Sequence, residues 1–217
     1  MFNLNKRRGI ITAAWLSTFV VAAALLVLPA SMRAQGGGAS DLNPSDIGTI
    51  IHQAVVAANN ESSPLRSTPG VPRTTKMQIA VVARDGKLLA LLTMPDAWVG
   101  SEDIAIAKAR TATFFSSDEN ALTSRIIGVL SQAHNPDGTG GAGPLWGIGN
   151  SNQVGITGTQ ATRNGLITFP GGVALYKNGK LVGGVGVSGD GVDQDEHVAF
   201  AGAAGFLPGA GVATLGY

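Results

Sequence analysis

The chain is 217 residues long and carries 15 basic and 14 acidic side chains, three histidines, 31 glycines and no cysteine. Without cysteine there are no disulfides, iron–sulfur clusters, c-type haem attachments or thiolate zinc sites, and three histidines argue against a site built from several of them. Residues 1–34 hold Lys6, Arg7, Arg8 and Arg33 and no acid, so the 15 basic residues fall to 11 against 14 acids beyond that point; a net-negative domain without a Lys/Arg cluster has no electrostatic footprint for nucleic acid.

The N-terminus reads as a secretory signal. Three basic residues precede an apolar run from Ile10 to Leu28, followed by Pro29, Ala30 and Ala34. Basic start, apolar middle and small-residue end are the layout of a cleavable leader. The alternative is an uncleaved anchor, because the run approaches the ~20 residues a bilayer crossing needs. Either way residues 35 onward are expected outside the cytoplasm, periplasmic or extracellular, with the membrane touched only through the N-terminal segment. Residues 35–41 (QGGGASD) read as a flexible tether.

Asn43-Pro44 is a cap followed by proline at a first helical position. Apolar residues then recur at Ile47, Ile50, Ile51, Ala54, Val55 and Ala58, the spacing of an amphipathic helix. Residues 59–73, with Pro64, Pro69, Gly70 and Pro72, predict a loop. Two apolar runs, 77–84 and 87–94, flank Asp85-Gly86 and predict a hairpin with a type I′ turn. Both faces of these strands are apolar, so the sheet is expected to be covered on both sides.

A helix is predicted over about 102–115, and a second from Ser116-Ser117-Asp118-Glu119, which has the form of a capping box. Residues 134–165 are glycine-rich without clear periodicity, and a connection that long is often functional. Pro170-Gly171-Gly172 leads into a second hairpin turning at Asn178-Gly179, and a last helix is expected over about 192–205. The order α-β-β-α-α-β-β-β-α predicts an α+β fold with an antiparallel sheet.

Gly184, Gly186 and Gly189 spell G-x-G-x-x-G. A dinucleotide fingerprint needs a parallel βαβ unit and an acid some 20 positions on. Here the entering strand is the second arm of a hairpin, and the residues after the last helix offer neither partner strand nor acid. Glycines that let a helix or a neighbouring subunit approach the strand are the better reading, and no dinucleotide is expected.

The ordered set AVVARDGKLLAL at 80–91, IAIAKARTA at 104–112, FPGGVALYKNGKLVGGVGVSGDGVDQDEHVA at 169–199 and AGF at 204–206 resembles the family of GlcG and the extracellular haem-binding, haem-degrading HbpS proteins, which includes a domain fused to some cobalamin adenosyltransferases. The resemblance covers residues 42–207, leaving 208–217 as a C-terminal tail. It implies a profilin-like fold, an antiparallel sheet of about five strands flanked by helices on both faces. It also implies homo-oligomers and a haem or iron ligand. Ligation through cysteine, seen in parts of the family, is impossible in this chain.

Each candidate site residue has a plain reading beside the sharper one. His52 lies off the apolar stripe of the first helix, so it is either a solvated histidine or an iron ligand presented outward. His134 opens the glycine-rich segment that also carries Trp146, a pairing that suits a haem pocket: one nitrogen for the iron and an aromatic platform for the ring. Lys108 and Arg110 can pair with haem propionates or simply be solvated helix residues. Asp193, Asp195, Glu196 and His197 look like a metal cluster, but on a helix they diverge, and acids in a first turn cap free N–H groups. Ser188 in GVSGD lacks the nucleophile-elbow pattern.

The sequence thus points to an exported haem-binding protein that sequesters or helps process haem or its iron. The alternatives are an enzyme of haem degradation or of small organic acid metabolism, and an oligomeric structural or signalling module.

Overall fold

The computed structural model describes residues 41–133, 145, 146, 148 and 166–217. Residues 1–40, covering the expected leader and nearly all of the expected tether, lie outside the described residues, as do His134 and most of the glycine-rich segment. Among the described residues no helix is long and apolar enough to cross a membrane.

Helix α1 (Pro44–Asn60) starts where the sequence says it should. Asn43 Oδ1 accepts from the backbone N–H groups of Ser45 and Asp46, and Asp46 accepts in return from Asn43 N–H at 2.9 Å. Strands β1 (Gln78–Ala83) and β2 (Leu88–Thr93) form the first hairpin. Its turn is not type I′: only Gly86 has a positive φ, 79°, and its N–H closes a turn onto Ala83 O at 2.8 Å. One more residue enters the connection than Asp85-Gly86 suggested, and a bulge falls between Val81 and Val82.

Helix α2 (Ser101–Phe114) follows. The expected helix at Ser116 does not form. Ser117 Oγ instead accepts from Glu119 and Asn120 N–H in a tight turn, residues Asn120–Leu122 are a short strand β3, and α3 (Ser124–Leu130) begins only after a Thr123 cap. The turn is fixed by what Asp118 does: it accepts from Leu181 N–H at 3.0 Å and pairs with Arg84 and Lys180, which ties it to the sheet.

Strands β4 (Gly172–Lys177) and β5 (Lys180–Ser188) make the second hairpin, and here the two-residue type I′ turn is present, with φ of 54° at Asn178 and 73° at Gly179. Helix α4 (Val192–Gly202) and strand β6 (Ala213–Leu215) complete the chain. The main sheet has four strands in the order β2-β1-β5-β4, all antiparallel, one fewer than expected. Residues 208–217 are more than a tail: β6 pairs in parallel with β3, and the Tyr217 hydroxyl accepts from Ala174 N–H and donates to Ala174 O on β4.

Side chains alternate between two covered faces. Ile79, Val81, Val173, Leu175, Val185 and Val187 pack under α1 and α4. The opposite face carries α2, and glycines bring it close. A Cβ added at Gly186 would lie 2.0 Å from Ala105 O, one at Gly184 2.3 Å from Thr113 Oγ1, and one at Gly172 2.2 Å from Lys108 O. Two members of G-x-G-x-x-G therefore make room for a helix of alanines, Ala105 and Ala109, to lie against the strand.

Candidate functional site: a cationic cleft beside Trp98

The loop between α1 and β1 folds back on itself through the Ser62–Thr74 and Thr68–Val71 bridges, with Ser63 N–H donating to Arg73 O at 2.9 Å. Its foundation is Asp190, just after β5. The Asp190 carboxylate is wholly buried, takes the Ser63 hydroxyl and Gly191 N–H, and lies 3.6 Å from Arg66 Nε. The facing wall is the turn after β2, where Ala97 N–H donates to Met94 O across Pro95-Asp96. Asp96 takes a positive φ of 66° there, as the third position of a type II turn requires.

Between these walls lies a cleft of about 910 Å³ whose lining includes Leu65, Arg66, Pro72, Arg73, Lys76, Trp98 and one acid, Asp96. That size falls within the range of small-molecule sites. The Arg66 guanidinium stacks on Trp98 at 5.7 Å from the ring centroid, a cation–π distance. Its Nε and Nη2 are buried and donate no hydrogen bond; the Asp190 contact is an ion pair beyond hydrogen-bond length. Among the described residues Lys76 Nζ reaches only Asn59 Oδ1, at 3.4 Å. Arg73 uses its backbone to hold the loop, and no ion pair engages its guanidinium among the described residues. Three cations, one indole and two apolar side chains form a place for a flat, anionic ligand.

Of the residues singled out in the sequence, those that the structure describes do not line this cleft. His52 is exposed on α1. Trp146 is exposed, and His134 lies outside the described residues. Arg110 is half-buried and donates from Nε to Gly86 O at 3.0 Å; burial draws it below its ordinary pKa, against the pull of Asp103. Lys108 is not on the surface. It is 1% exposed, and its Nζ donates to Asp195 Oδ2 at 2.7 Å and to Val187 O at 3.0 Å. The alanine-rich face on which it sits is the face α2 turns to the sheet, so the ammonium points inward.

Asp195, read as a structural acid, also accepts from Asp190 N–H at 3.1 Å. Its neighbours diverge: Asp193 and Glu196 pair with Arg125, and His197 Nδ1 meets Glu61 at 2.5 Å. Among the described residues no group of three or more acids and histidines is placed to hold a metal. The cleft residues escaped sequence reasoning because Arg66, Arg73 and Lys76 are spread along a Pro-rich stretch, and Trp98 joins them only through the fold. The length of the 59–73 loop was the available signal.

A three-layer α+β module with a cationic cleft beside its sheet is the class these features define. A family described as haem degrading protein HbpS-like matches residues 47–204, and the chain belongs to that family. It is 32% identical over 120 residues to a 15.0 kDa protein of Citrobacter freundii, covering 55% of this chain and 68% of that one. It is 31% identical over 121 residues to the corrinoid adenosyltransferase PduO of the same organism, covering 56% of this chain but only 29% of that enzyme. Among solved structures, a PduOC:haem complex superposes with a TM-score of 0.56 at 24% identity, over 78% of this chain and 97% of that one. The Klebsiella pneumoniae protein ORFY does so at 0.52 and 23% identity, over 75% and 88%. These two establish the shared fold.

Proposed function

We propose that this protein binds haem, with the cleft beside Trp98 taking the propionate-bearing edge of the ring. The observation that carries the reading is the gathering of Arg66, Arg73 and Lys76 around an exposed indole, in a member of a family described by haem degradation. The residues fit the group: guanidinium and ammonium groups pair with carboxylates, and Trp98, Leu65 and Pro72 offer apolar surface to a porphyrin. With no cysteine in the chain, the iron's nitrogen would come from His52 or His134, as haem iron is often held by one imidazole. The basic-then-apolar pattern of residues 1–34 supports a role outside the cytoplasm, where a haem-binding module would sequester haem or hand it on, as a homo-oligomer.

The test is a haem titration of the purified protein followed by absorption spectroscopy. A saturable, shifted Soret band is expected, weakened by Arg73→Ala. Loss of the shift in His52→Ala or His134→Ala identifies the axial ligand. A spectrum that remains that of free haem throughout would overturn the proposal. A second reading, that haem is degraded here, is favoured by the family's description; bleaching of the bound Soret band on adding a reductant in air would separate it from binding alone.

A further inference from the structure

We propose that the cleft reads the carboxylates of a planar tetrapyrrole and not its metal, so that its ligand class is a tetrapyrrole dicarboxylate with or without iron. The inference rests on the haem reading above and sharpens it. Iron in haem proteins is held by imidazole, thiolate, thioether or phenolate groups. The described side chains lining the cleft include none of these: they are cations, hydroxyls, one carboxylate, one indole and aliphatic groups. What the cleft does supply is an excess of positive charge, three cations against Asp96 in the lining and Asp190 beneath Arg66.

The three cations divide into two kinds. Arg66 belongs to the wall: Asp190 sits beneath it at 3.6 Å and Trp98 lies against it. Arg73 and Lys76 are available. Arg73 is exposed with no side-chain partner among the described residues, and Lys76 has only the 3.4 Å contact to Asn59. Two available cations suit two carboxylates, and charge-assisted pairs of this kind are the stronger hydrogen bonds. Trp98, 52% exposed, leaves ring surface for the macrocycle. Nothing in this arrangement distinguishes a metallated ring from a bare one.

The experiment titrates the full protein with haem, with metal-free protoporphyrin IX and with the dimethyl ester of that porphyrin, following ligand absorbance or fluorescence. Haem and metal-free porphyrin are both expected to bind, and the ester of the metal-free ring to bind about tenfold or more weakly than its diacid. The double variant Arg73→Ala/Lys76→Ala is expected to lose about tenfold for the diacid and to leave the ester unchanged. Arg73 supports the fold through its backbone alone, and Arg73→Ala by itself provides a folded control should the double variant fail. Haem binding without porphyrin binding, or equal affinity for diacid and ester, overturns the inference while haem binding itself stands. If no tetrapyrrole binds, the haem reading falls and the inference falls with it.

Discussion

Lys108 on α2 and Asp195 on α4 meet at 2.7 Å although their helices lie on opposite faces of the sheet. Gly171 lies against the pair: a Cβ there would come within 2.6 Å of Val187 O, 3.0 Å of Asp195 Cβ and 3.2 Å of Lys108 Nζ. Burial drives both groups toward neutrality, lowering Lys108 and raising Asp195, while their mutual attraction opposes it. Val187 O and Asp190 N–H supply the remaining contacts, so the pair is both desolvated and well bonded.

Breaking such a pair is costly, whereas replacing it whole is not. Lys108→Ala or Asp195→Ala is expected to destabilise the protein by about 3–5 kcal/mol, because each leaves a buried charge unpaired. Lys108→Met combined with Asp195→Leu is expected to recover most of that loss. Urea denaturation of the three variants checks it. Additive losses in the double variant would mean that packing, not charge, is what the pair supplies.

The glycines on β5 make a second prediction. Gly186→Ala would drive a methyl to 2.0 Å from Ala105 O, backbone on both sides, and Gly184→Ala to 2.3 Å from Thr113 Oγ1. Overpacking of this kind costs about 1–3 kcal/mol or more, with Gly186→Ala the worse because its two nearest contacts, Ala105 O and Ala109 N, are both backbone, whereas at Gly184 the nearest is a side-chain hydroxyl and Ala109 O follows at 2.6 Å. Gly48→Ala is the control. It is exposed in α1 with nothing within 4 Å of the added Cβ, so it is expected to stabilise by about 0.5–1 kcal/mol. Thermal denaturation ranks the three.

What the sequence disclosed was what short-range chemistry fixes. Asn43-Pro44, the Asn178-Gly179 turn and the glycines of β5 each act through their own backbone or an immediate neighbour, and each stands in the fold as its local signal indicates. Ser116–Glu119 had an equally good local signal for a helix and lost, because Asp118 gains Leu181 N–H and Lys180 from the second hairpin, 63 and 62 residues on, and Arg84 from the first, 34 residues back. Lys108 was legible as a helical lysine but not as a buried one. Its partner lies 87 positions away, across the sheet. The cleft was illegible for the same reason, since Trp98 and Arg66 are adjacent only in space.

Asp118 also predicts a pH dependence. Its carboxyl is held below the usual value, first by the Leu181 N–H and then by Lys180 and Arg84. A depressed folded pKa means stabilisation that is present above the unfolded value, near 4 for an aspartate, and is lost as pH falls through the folded value. Asp118→Asn keeps an oxygen for Leu181 N–H but removes the charge. It is therefore expected to be less stable than the parent at pH 7 and to converge with it toward about pH 2. Urea midpoints at several pH values test this. Parallel curves down to the lowest pH would show that the charge of Asp118 contributes nothing.

Asp96 links stability to the cleft. At φ 66° it occupies the left-handed region, where a residue with a Cβ is penalised by about 1–2 kcal/mol, and it is the one acid among the residues lining a cleft with three cations. Asp96→Gly relieves the backbone and removes the negative charge together, so it is expected to raise both stability, by roughly 1 kcal/mol, and affinity for an anionic tetrapyrrole. Asp96→Asn separates the effects: asparagine tolerates the left-handed region as aspartate does, so stability is expected to change little while affinity rises as in the glycine variant. Paired melting and porphyrin titrations measure both quantities on the same samples. If Asp96→Asn leaves affinity where it was, the Asp96 charge is not felt by the ligand, and the electrostatic account of recognition loses its nearest support.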